Sequence, residues 1–493
     1  MLPSPLLIKK SQSPPLKSSE ERPRDYCGIF AIENHRGNMS AAEIAMFGLQ
    51  SLQHRGQEST GISFADSIGL QTRKGMGLVG QVFSQKEMSE IEANSILGHV
   101  RYSTAGSSSL SNAQPLIAHS ADGYSFAIAH NGNLVNSSVL WQELLEQGQI
   151  FLSTSDTEIL LTHLYRNRHQ HITDSIAEFM EISGGAYSAA VMDQEKIVAF
   201  RDPHGFRPLC IGQLGDANIF ASETCALDTV GAKYLREVQP GEIVLSSGGE
   251  LNSFTPKSGG KSPKSFCIFE YIYFARADSI LNGKNVHQVR KAIGKSLGSK
   301  INKHIDLVVP SPDSGIPAAM GLSEATGIPM DWAIYRNSYS NRTFIQPGQS
   351  NRERRAQLKY NPITEVVKGK SIAIVDDSMV RGTTAHQLTA LLKKAGAREV
   401  HIIIASPPYL YPCYYGIDIP LSQELAMVLS DPDKMAEKLG ADSLTFASLE
   451  DLYQGTGGNR EGLCVACFNG DYPLLPSPSP NTARGDPFAR SQI

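Results

Sequence analysis

The sequence lacks any apolar run that approaches the roughly 20 residues a helix needs to cross a bilayer. It also lacks a strong excess of one charge, because 45 Lys and Arg stand against 49 Asp and Glu, a net charge of −4. This balance gives no general attraction to nucleic acid or to an anionic membrane. Residues 1–26 lack an apolar core long enough for a secretory signal, so we expect a cytoplasmic protein whose seven cysteines form no disulfides.

The 493 residues are enough for about two to four domains. Residues 1–26 predict a disordered leader and residues 473–493 a disordered tail, since both are rich in proline and serine. Between them we predict one domain over 27–255 and a second over 256–472, with a Gly/Ser/Lys-rich connector at 246–265. The first mixes short strands with a few helices. The second alternates apolar strands with helices, the βαβ order of a parallel sheet.

The most informative segment is SIAIVDDSMVRGTT, residues 371–384. Its apolar start predicts a buried strand, so Asp376 and Asp377 fall at the strand's C-terminal end, where open α/β sheets bind ligands. The loop that follows opens a helix, whose free N–H groups and dipole favour a phosphate. Two carboxylates suit a ribose diol and its magnesium, so we predict a site for a five-carbon sugar phosphate. The loop residues expected to hold the phosphate are Arg381, Gly382, Thr383 and Thr384.

This segment resembles the substrate loop of the type I phosphoribosyltransferases, whose substrate is phosphoribosyl pyrophosphate. Residues 308–315 (VVPSPDSG) are similar to the pyrophosphate loop of that family, and residues 337–349 to its flexible lid. The resemblance implies that Arg342 and Lys359 meet the charge of pyrophosphate. It also implies magnesium ligands at Ser314, Asp376 and Asp377.

Cys27 stands where the leader gives way to a strand pattern, and alone it is compatible with a buried core residue. Four polar clusters follow it at 52–59, 99–106, 129–133 and 153–158. The order and the sequences of these clusters resemble those of the glutaminase domain of the N-terminal-nucleophile amidotransferases. In that family the cysteine is the first residue of the mature chain, because a terminal α-amine with a pKa of about 7.7–8.0 can accept the thiol proton. The resemblance therefore implies removal of the leader.

The resemblance implies a role for each matching residue. It makes Cys27 the nucleophile, which would form a thioester with the glutamine side chain. The oxyanion of the intermediate would be stabilised by the Asn131 side chain and the Gly132 backbone N–H. The charged residues that the resemblance adds are Arg101 for the α-carboxylate of glutamine, Asp156 for its α-ammonium and Arg55 for the amino-terminal region.

Cys464 and Cys467 form a CxxC pair, and the spacing alone leaves a redox pair, half a zinc site or half a cluster site open. Two further cysteines, Cys267 and Cys413, lie in segments that resemble an iron–sulfur-containing subgroup of amidotransferases. Four thiolates suit zinc or iron–sulfur by their softness. The resemblance implies a [4Fe–4S] cluster.

Both halves in this order resemble the glutamine phosphoribosylpyrophosphate amidotransferases. The implied fold class is α+β and then α/β, an N-terminal-nucleophile αββα sandwich followed by a type I phosphoribosyltransferase parallel-sheet domain. The implied activity transfers ammonia from glutamine to phosphoribosyl pyrophosphate, giving 5-phosphoribosylamine, glutamate and pyrophosphate, the first committed step of purine (IMP) biosynthesis. Purine nucleotide inhibitors and a homo-oligomer, a tetramer or a dimer, are implied as well.

Three alternatives stay open at this stage. The lid departs from the family pattern at Ser338, Ser340 and Asn341, which suits a divergent paralogue with weakened coupling, acting as a glutaminase or a regulatory phosphoribosyl pyrophosphate-binding protein. A sugar isomerase partner has no need of the loop at 381–384. A DNA-binding repressor fits poorly with the acidic balance and with an intact glutaminase half.

Overall fold

Two antiparallel sheets of seven and six strands stack face to face in the first part of the chain. The computed structural model describes residues 27–102, 108–256, 262–337, 360–417, 425, 427, 431–458 and 460–476. In spatial order the seven strands are Lys233–Glu237, Cys210–Leu214, Ala217–Ala221, Gly28–Glu33, Ile96–Arg101, Ser59–Asp66 and Gly69–Met76. The six are Glu250–Phe254, Ile243–Ser247, Lys196–Arg201, Gly185–Met192, Ser125–Leu134 and Leu116–His119.

Alternating apolar residues explain why the two sheets pack together. Side chains two positions apart on a strand share a face, so Ile29 and Ala31 of one sheet meet Ala127 and Ala129 of the other, all fully buried. Helices cover both outer faces and complete an αββα sandwich. Those beside the seven-stranded sheet are Ala41–Ser51, Val79–Val82, Gln85–Ser89 and Thr224–Val230. Those beside the six-stranded sheet are Ser137–Glu146, Thr157–Arg166 and Ile172–Ile182.

The second part of the chain is built on a four-stranded parallel sheet. Its strands, in spatial order, are Leu307–Pro310, Ser371–Asp376, Glu399–Ile404 and Ser443–Phe446. Among the described residues of this part, the helices are Val286–Leu297, Ile316–Thr326, Thr364–Val367, Thr383–Lys394, Pro432–Leu439, Leu449–Gly455 and Ala466–Asn469. The expected order, an αββα sandwich followed by a parallel-sheet domain, is confirmed.

Short elements join these layers. Three two-stranded ribbons pair Ser265–Cys267 with Gly462–Cys464, Ile280–Leu281 with Lys284–Asn285, and Ile334–Arg336 with Tyr360–Pro362. Tight helical turns occupy Leu110–Asn112 and Gly298–Lys300, and a π-helical turn occupies Glu270–Phe274. No helix among the described residues has the length and apolarity needed to cross a membrane.

The connector expected at 246–265 is partly wrong. Its first residues complete a β-hairpin, Ile243–Ser247 with Glu250–Phe254, on the edge of the six-stranded sheet. Gly248 and Gly249 form the two-residue turn with φ of +61° and +85°, a conformation that favours glycine. A Gly-Gly pair that indicates a loop by composition is here the tip of a hairpin.

Candidate active sites

Cys27 lies buried at the head of a central strand of the seven-stranded sheet. Gly28 pairs with Val100, so Cys27 lies beside the end of the strand that carries Arg101. The Cys27 thiol donates to the Tyr102 carbonyl at an S···O distance of 3.7 Å. The structure therefore fixes the backbone of the cysteine by strand pairing and leaves its side chain at the end of the sheet.

Asn131 and Gly132 lie on the facing sheet, in the strand Ser125–Leu134. The Asn131 Nδ2 atom is buried without a hydrogen-bond partner in the described ranges. Gly132 has φ +147°, and a Cβ there would lie 1.9 Å from the Ala186 carbonyl oxygen, so only glycine fits. Because buried polar groups are usually hydrogen-bonded, this unused amide donor is suited to donate to an oxygen of a ligand.

A hydrogen bond between histidines joins the two sheets at this level. His99 Nε2 donates to the His130 carbonyl at 3.2 Å, one residue before Asn131. Burial lowers the pKa of His99 to about 3, so this ring is neutral and acts as a donor. The strand that carries Asn131 is thus tied to the strand that ends at Arg101.

Arg101 and Asp156 are both buried and already have protein partners. Arg101 Nη1 donates to Glu58 Oε1 at 2.6 Å. Asp156 accepts from the Leu134 N–H at 3.0 Å, and its other oxygen lies 3.7 Å from His130 Nδ1. Glu58 is part of the first polar cluster, and the sequence alone did not single it out as the partner of Arg101.

The sugar-phosphate residues meet at the C-terminal edge of the parallel sheet. Asp376 ends the strand Ser371–Asp376, and both it and Asp377 are buried. Asp377 Oδ1 accepts from Ser378 Oγ at 2.5 Å. Asp377 Oδ2 and Ser314 Oγ are buried without hydrogen-bond partners among the residues that the structure describes. Unused oxygens of this kind suit a ligand hydroxyl or a hard cation.

Backbone packing brings the loop with Ser314 to this edge. The Ser311 N–H donates to the Val375 carbonyl at 2.8 Å. A Cβ on Gly315 would lie 2.2 Å from the same oxygen, so the approach requires glycine. Gly382, with φ +80°, starts the helix Thr383–Lys394 and offers no side chain to cap it. Arg342, Lys359 and the lid departures Ser338, Ser340 and Asn341 lie outside the described residues.

The four cysteines of the expected cluster are all buried in one apolar core. Cys267 and Cys464 are direct partners in a parallel ribbon. The carbonyl of Cys467 accepts from the Leu410 and Tyr411 N–H groups, both at 3.1 Å, which draws in the segment that carries Cys413. Burial and then the neighbouring thiols raise the pKa of Cys467. In the described part of the chain, no three His, Cys, Asp or Glu side chains are arranged around a metal position.

Known proteins resemble both parts of this chain. Residues 99–229 match the glutamine amidotransferase domain family, and residues 276–406 match the phosphoribosyl transferase domain family. An amidophosphoribosyltransferase of Bacillus subtilis (strain 168) is 44% identical over 451 residues, which cover 91% of this chain and 94% of that protein. One from Archaeoglobus fulgidus is 41% identical over 452 residues, covering 91% and 98%.

A solved structure resembles this one over nearly its whole length. It is the glutamine phosphoribosylpyrophosphate amidotransferase of Bacillus subtilis, complexed with ADP and GMP. The two structures have a TM-score of 0.85 at 43% sequence identity, and the match covers 91% of this chain and 99% of the other. The similarity therefore includes both sheets of the sandwich and the parallel sheet together.

Proposed function

This chain belongs to the amidophosphoribosyltransferases, which use glutamine to aminate phosphoribosyl pyrophosphate in purine synthesis, and we propose how its residues divide that reaction. One observation carries the assignment. In the first half, Cys27 is buried at the end of one sheet and the unused Asn131 amide donor lies on the sheet packed against it. In the second half, the unused Asp377 carboxylate oxygen directly follows the parallel strand Ser371–Asp376. The Asn131 amide and the Asp377 carboxylate oxygen each have a hydrogen-bonding position that a substrate would fill.

In the first half-reaction the Cys27 sulfur would attack the side-chain carbonyl carbon of glutamine. Its proton would pass to the free α-amine of Cys27 and then to the departing nitrogen as the C–N bond breaks. The oxyanion would accept from Asn131 Nδ2 and the Gly132 N–H. Arg101 would hold the α-carboxylate, sharing its guanidinium with Glu58, and Asp156 would hold the α-ammonium. Water then releases glutamate from the thioester.

In the second half-reaction ammonia would attack C1 of the sugar as the bond to pyrophosphate breaks. The 5′-phosphate would lie at the N-terminus of the helix Thr383–Lys394, held by the backbone N–H groups of the first turn, Arg381 and the threonine hydroxyls. Asp376 and Asp377 would accept from the ribose hydroxyls. Arg342 and Lys359 are the residues we propose for the pyrophosphate charge.

Magnesium fits the donor set beside the ribose. Asp377 Oδ2 and Ser314 Oγ are buried oxygens without a partner among the described residues, and Mg²⁺ prefers oxygen ligands. We propose Ser314, Asp376 and Asp377 as the residues that hold it. When bound, the ion would neutralise the charge of the leaving pyrophosphate.

One assay tests both the proposed activity and the proposed need to remove residues 1–26. Protein that begins at Cys27 is expected to release glutamate and pyrophosphate from glutamine and phosphoribosyl pyrophosphate with magnesium. The same chain with residues 1–26 attached is expected to lose glutamine use, because an amide nitrogen before Cys27 cannot accept a proton. Intact-mass analysis identifies the N-terminus of the active species. Full glutamine-dependent activity with the leader attached would contradict the proposed mechanism.

We further propose a [4Fe–4S] cluster on Cys267, Cys413, Cys464 and Cys467. The support is the shared apolar core, the pairing of Cys267 with Cys464, and the softness of four thiolates. When bound, the cluster would crosslink segments that are distant in sequence. Among the described residues the four thiols do not converge on one metal position, so they would have to turn toward one another to bind the cluster.

Metal analysis tests the cluster. Anaerobically purified protein is expected to contain about four iron atoms and four labile sulfides per chain, the content of one cluster. The Cys464→Ala variant should lose iron. The Cys210→Ala variant should retain it, because Cys210 lies in the glutaminase part, where its thiol donates a hydrogen bond to the Ala221 carbonyl. Stoichiometric zinc without iron would show that the four thiols serve a different metal.

The remaining proposals concern partners and place. A relative was solved with ADP and GMP, and we propose that purine nucleotides inhibit this chain as well. A homo-oligomer, a dimer or a tetramer, and a cytoplasmic location complete the proposal.

A further inference from the structure

One arginine contacts both the nucleophile and the second half of the chain. Arg55 Nε donates to the Cys27 carbonyl at 3.0 Å. Its two terminal nitrogens donate to the two oxygens of Glu270, each at 3.0 Å, and Nη1 also donates to Glu223 at 2.6 Å. Glu270 begins the π-helical turn of the phosphoribosyltransferase part. A carboxylate from that part therefore holds the side chain that fixes the backbone of the cysteine.

The ion pairs around Arg55 are fully desolvated. The side chains of Arg55, Glu223 and Glu270 are 0% exposed. Burial opposes the charge of Arg55, but Glu270 and Glu223 together raise its pKa above the ordinary value. Arg207 Nη1 lies 3.5 Å from Glu270 as a further cation. Removing one member of a buried pair leaves the other charge uncompensated, so the Arg55–Glu270 geometry is stiff.

The turn that carries Glu270 is held by Arg290, from the helix Val286–Leu297. Arg290 Nε donates to the Tyr271 carbonyl at 2.6 Å, and its Nη2 donates to the Ala275 carbonyl at 2.8 Å. Burial lowers the pKa of Arg290, and the Asp377 carboxylate counteracts this. Arg290 itself lies buried on the helix Val286–Leu297.

Two glycines pack the helix of Arg290 tightly against the helix that follows the Ser314 loop. A Cβ on Gly294 would lie 2.0 Å from the Ala318 carbonyl oxygen. A Cβ on Gly321 would lie 1.9 Å from the Lys291 carbonyl oxygen. Contacts this close resist independent movement of the two helices, because a close-packed interior transmits strain. A shift at the loop beside the sugar site therefore reaches Arg290 and the turn that starts at Glu270.

We propose that Glu270 is a positioning residue that couples the sugar site to the thiol site. It touches neither substrate; it sets the position of Arg55, and Arg55 sets the backbone of Cys27. Occupancy of the sugar site would act on the turn through Arg290 and shift the thiol toward its reactive position. The inference rests on the proposed function and adds to it the physical route by which glutamine use depends on the acceptor.

The test is Glu270→Gln, which keeps the size of the side chain and removes its charge. We expect stimulation of glutamine hydrolysis by phosphoribosyl pyrophosphate to fall roughly 10- to 150-fold, the effect of one charge-assisted contact. Synthesis from added ammonia should stay within about twofold, since that site has its own residues. Glu270→Asp, which retains the charge, should recover part of the stimulation.

Glu242→Gln is the matched control. Glu242 is a buried carboxylate that binds Arg236 through two contacts of 2.9 Å, entirely within the glutaminase part. It should retain the stimulation ratio. Unchanged stimulation in Glu270→Gln, equal losses in both variants, or an equal loss of ammonia-dependent synthesis would each overturn the coupling role. Absence of pyrophosphate release by the unmodified protein would instead reject the proposed function.

Discussion

Replacing Cys27 with alanine is expected to abolish glutamine-dependent synthesis while synthesis from added ammonia continues. Without the sulfur no thioester can form, and losing a nucleophile typically lowers the rate by roughly 10⁴- to 10⁶-fold. Ammonia bypasses this step, because it reaches the second site without prior hydrolysis. Pyrophosphate release is measured with each nitrogen source, on proteins that begin at residue 27.

Cys210→Ala is the control for this variant. The Cys210 thiol is buried in the same sheet and donates to the Ala221 carbonyl at 3.2 Å. Burial raises its pKa well above the ordinary value, so it is an inert thiol. This variant should keep both activities. If the Cys27 variant cannot use ammonia either, the separation into two sites is wrong.

Replacing Asp376 and Asp377 together with alanine is expected to remove synthesis from both nitrogen sources. Each carboxylate would lose a charge-assisted contact of roughly 1.5–3 kcal/mol, so the pair should lower the rate about 10²- to 10⁴-fold. The buried Asp377 Oδ2 has no partner among the described residues, so its function depends on a ligand. Glutamine hydrolysis without the sugar should remain, and glutamate release measures it.

Asp442→Asn separates a site effect from a general loss of charge. Asp442 precedes the strand Ser443–Phe446, at the opposite edge of the same parallel sheet. It accepts from the Val400 N–H at 2.7 Å and from Lys393 at 2.6 Å. Its replacement should lower stability slightly and leave synthesis intact. If the variant that lacks both Asp376 and Asp377 still makes product from ammonia, the sugar site does not lie at the edge of the sheet that carries them.

Local pattern determined much of this molecule. The apolar run before Asp376 specifies a strand by composition, and a carboxylate after a parallel strand falls at the ligand-binding edge in any sheet of this class. Cys27 likewise precedes a strand that its own apolar residues specify. The family resemblance then implied a role for each side chain, and the structure places Asn131 and Gly132 on the sheet that faces the cysteine.

The tertiary structure alone decided which charges meet. Arg55 lies 215 residues from Glu270 in sequence and 168 from Glu223, and no local periodicity relates positions so distant. From sequence alone a glutamate is expected to be exposed to solvent. Whether it is buried depends on the layers that pack around it in the folded chain. The hairpin at Gly248 and Gly249 was hidden for a similar reason, since its outer strand is largely exposed and pairs at a sheet edge. Local composition predicted the strand before Asp376, the loop that suits a phosphate and the residues able to react. Folding brought Glu270 to Arg55, and because both side chains are fully desolvated, removing either one would leave an uncompensated buried charge between the two domains.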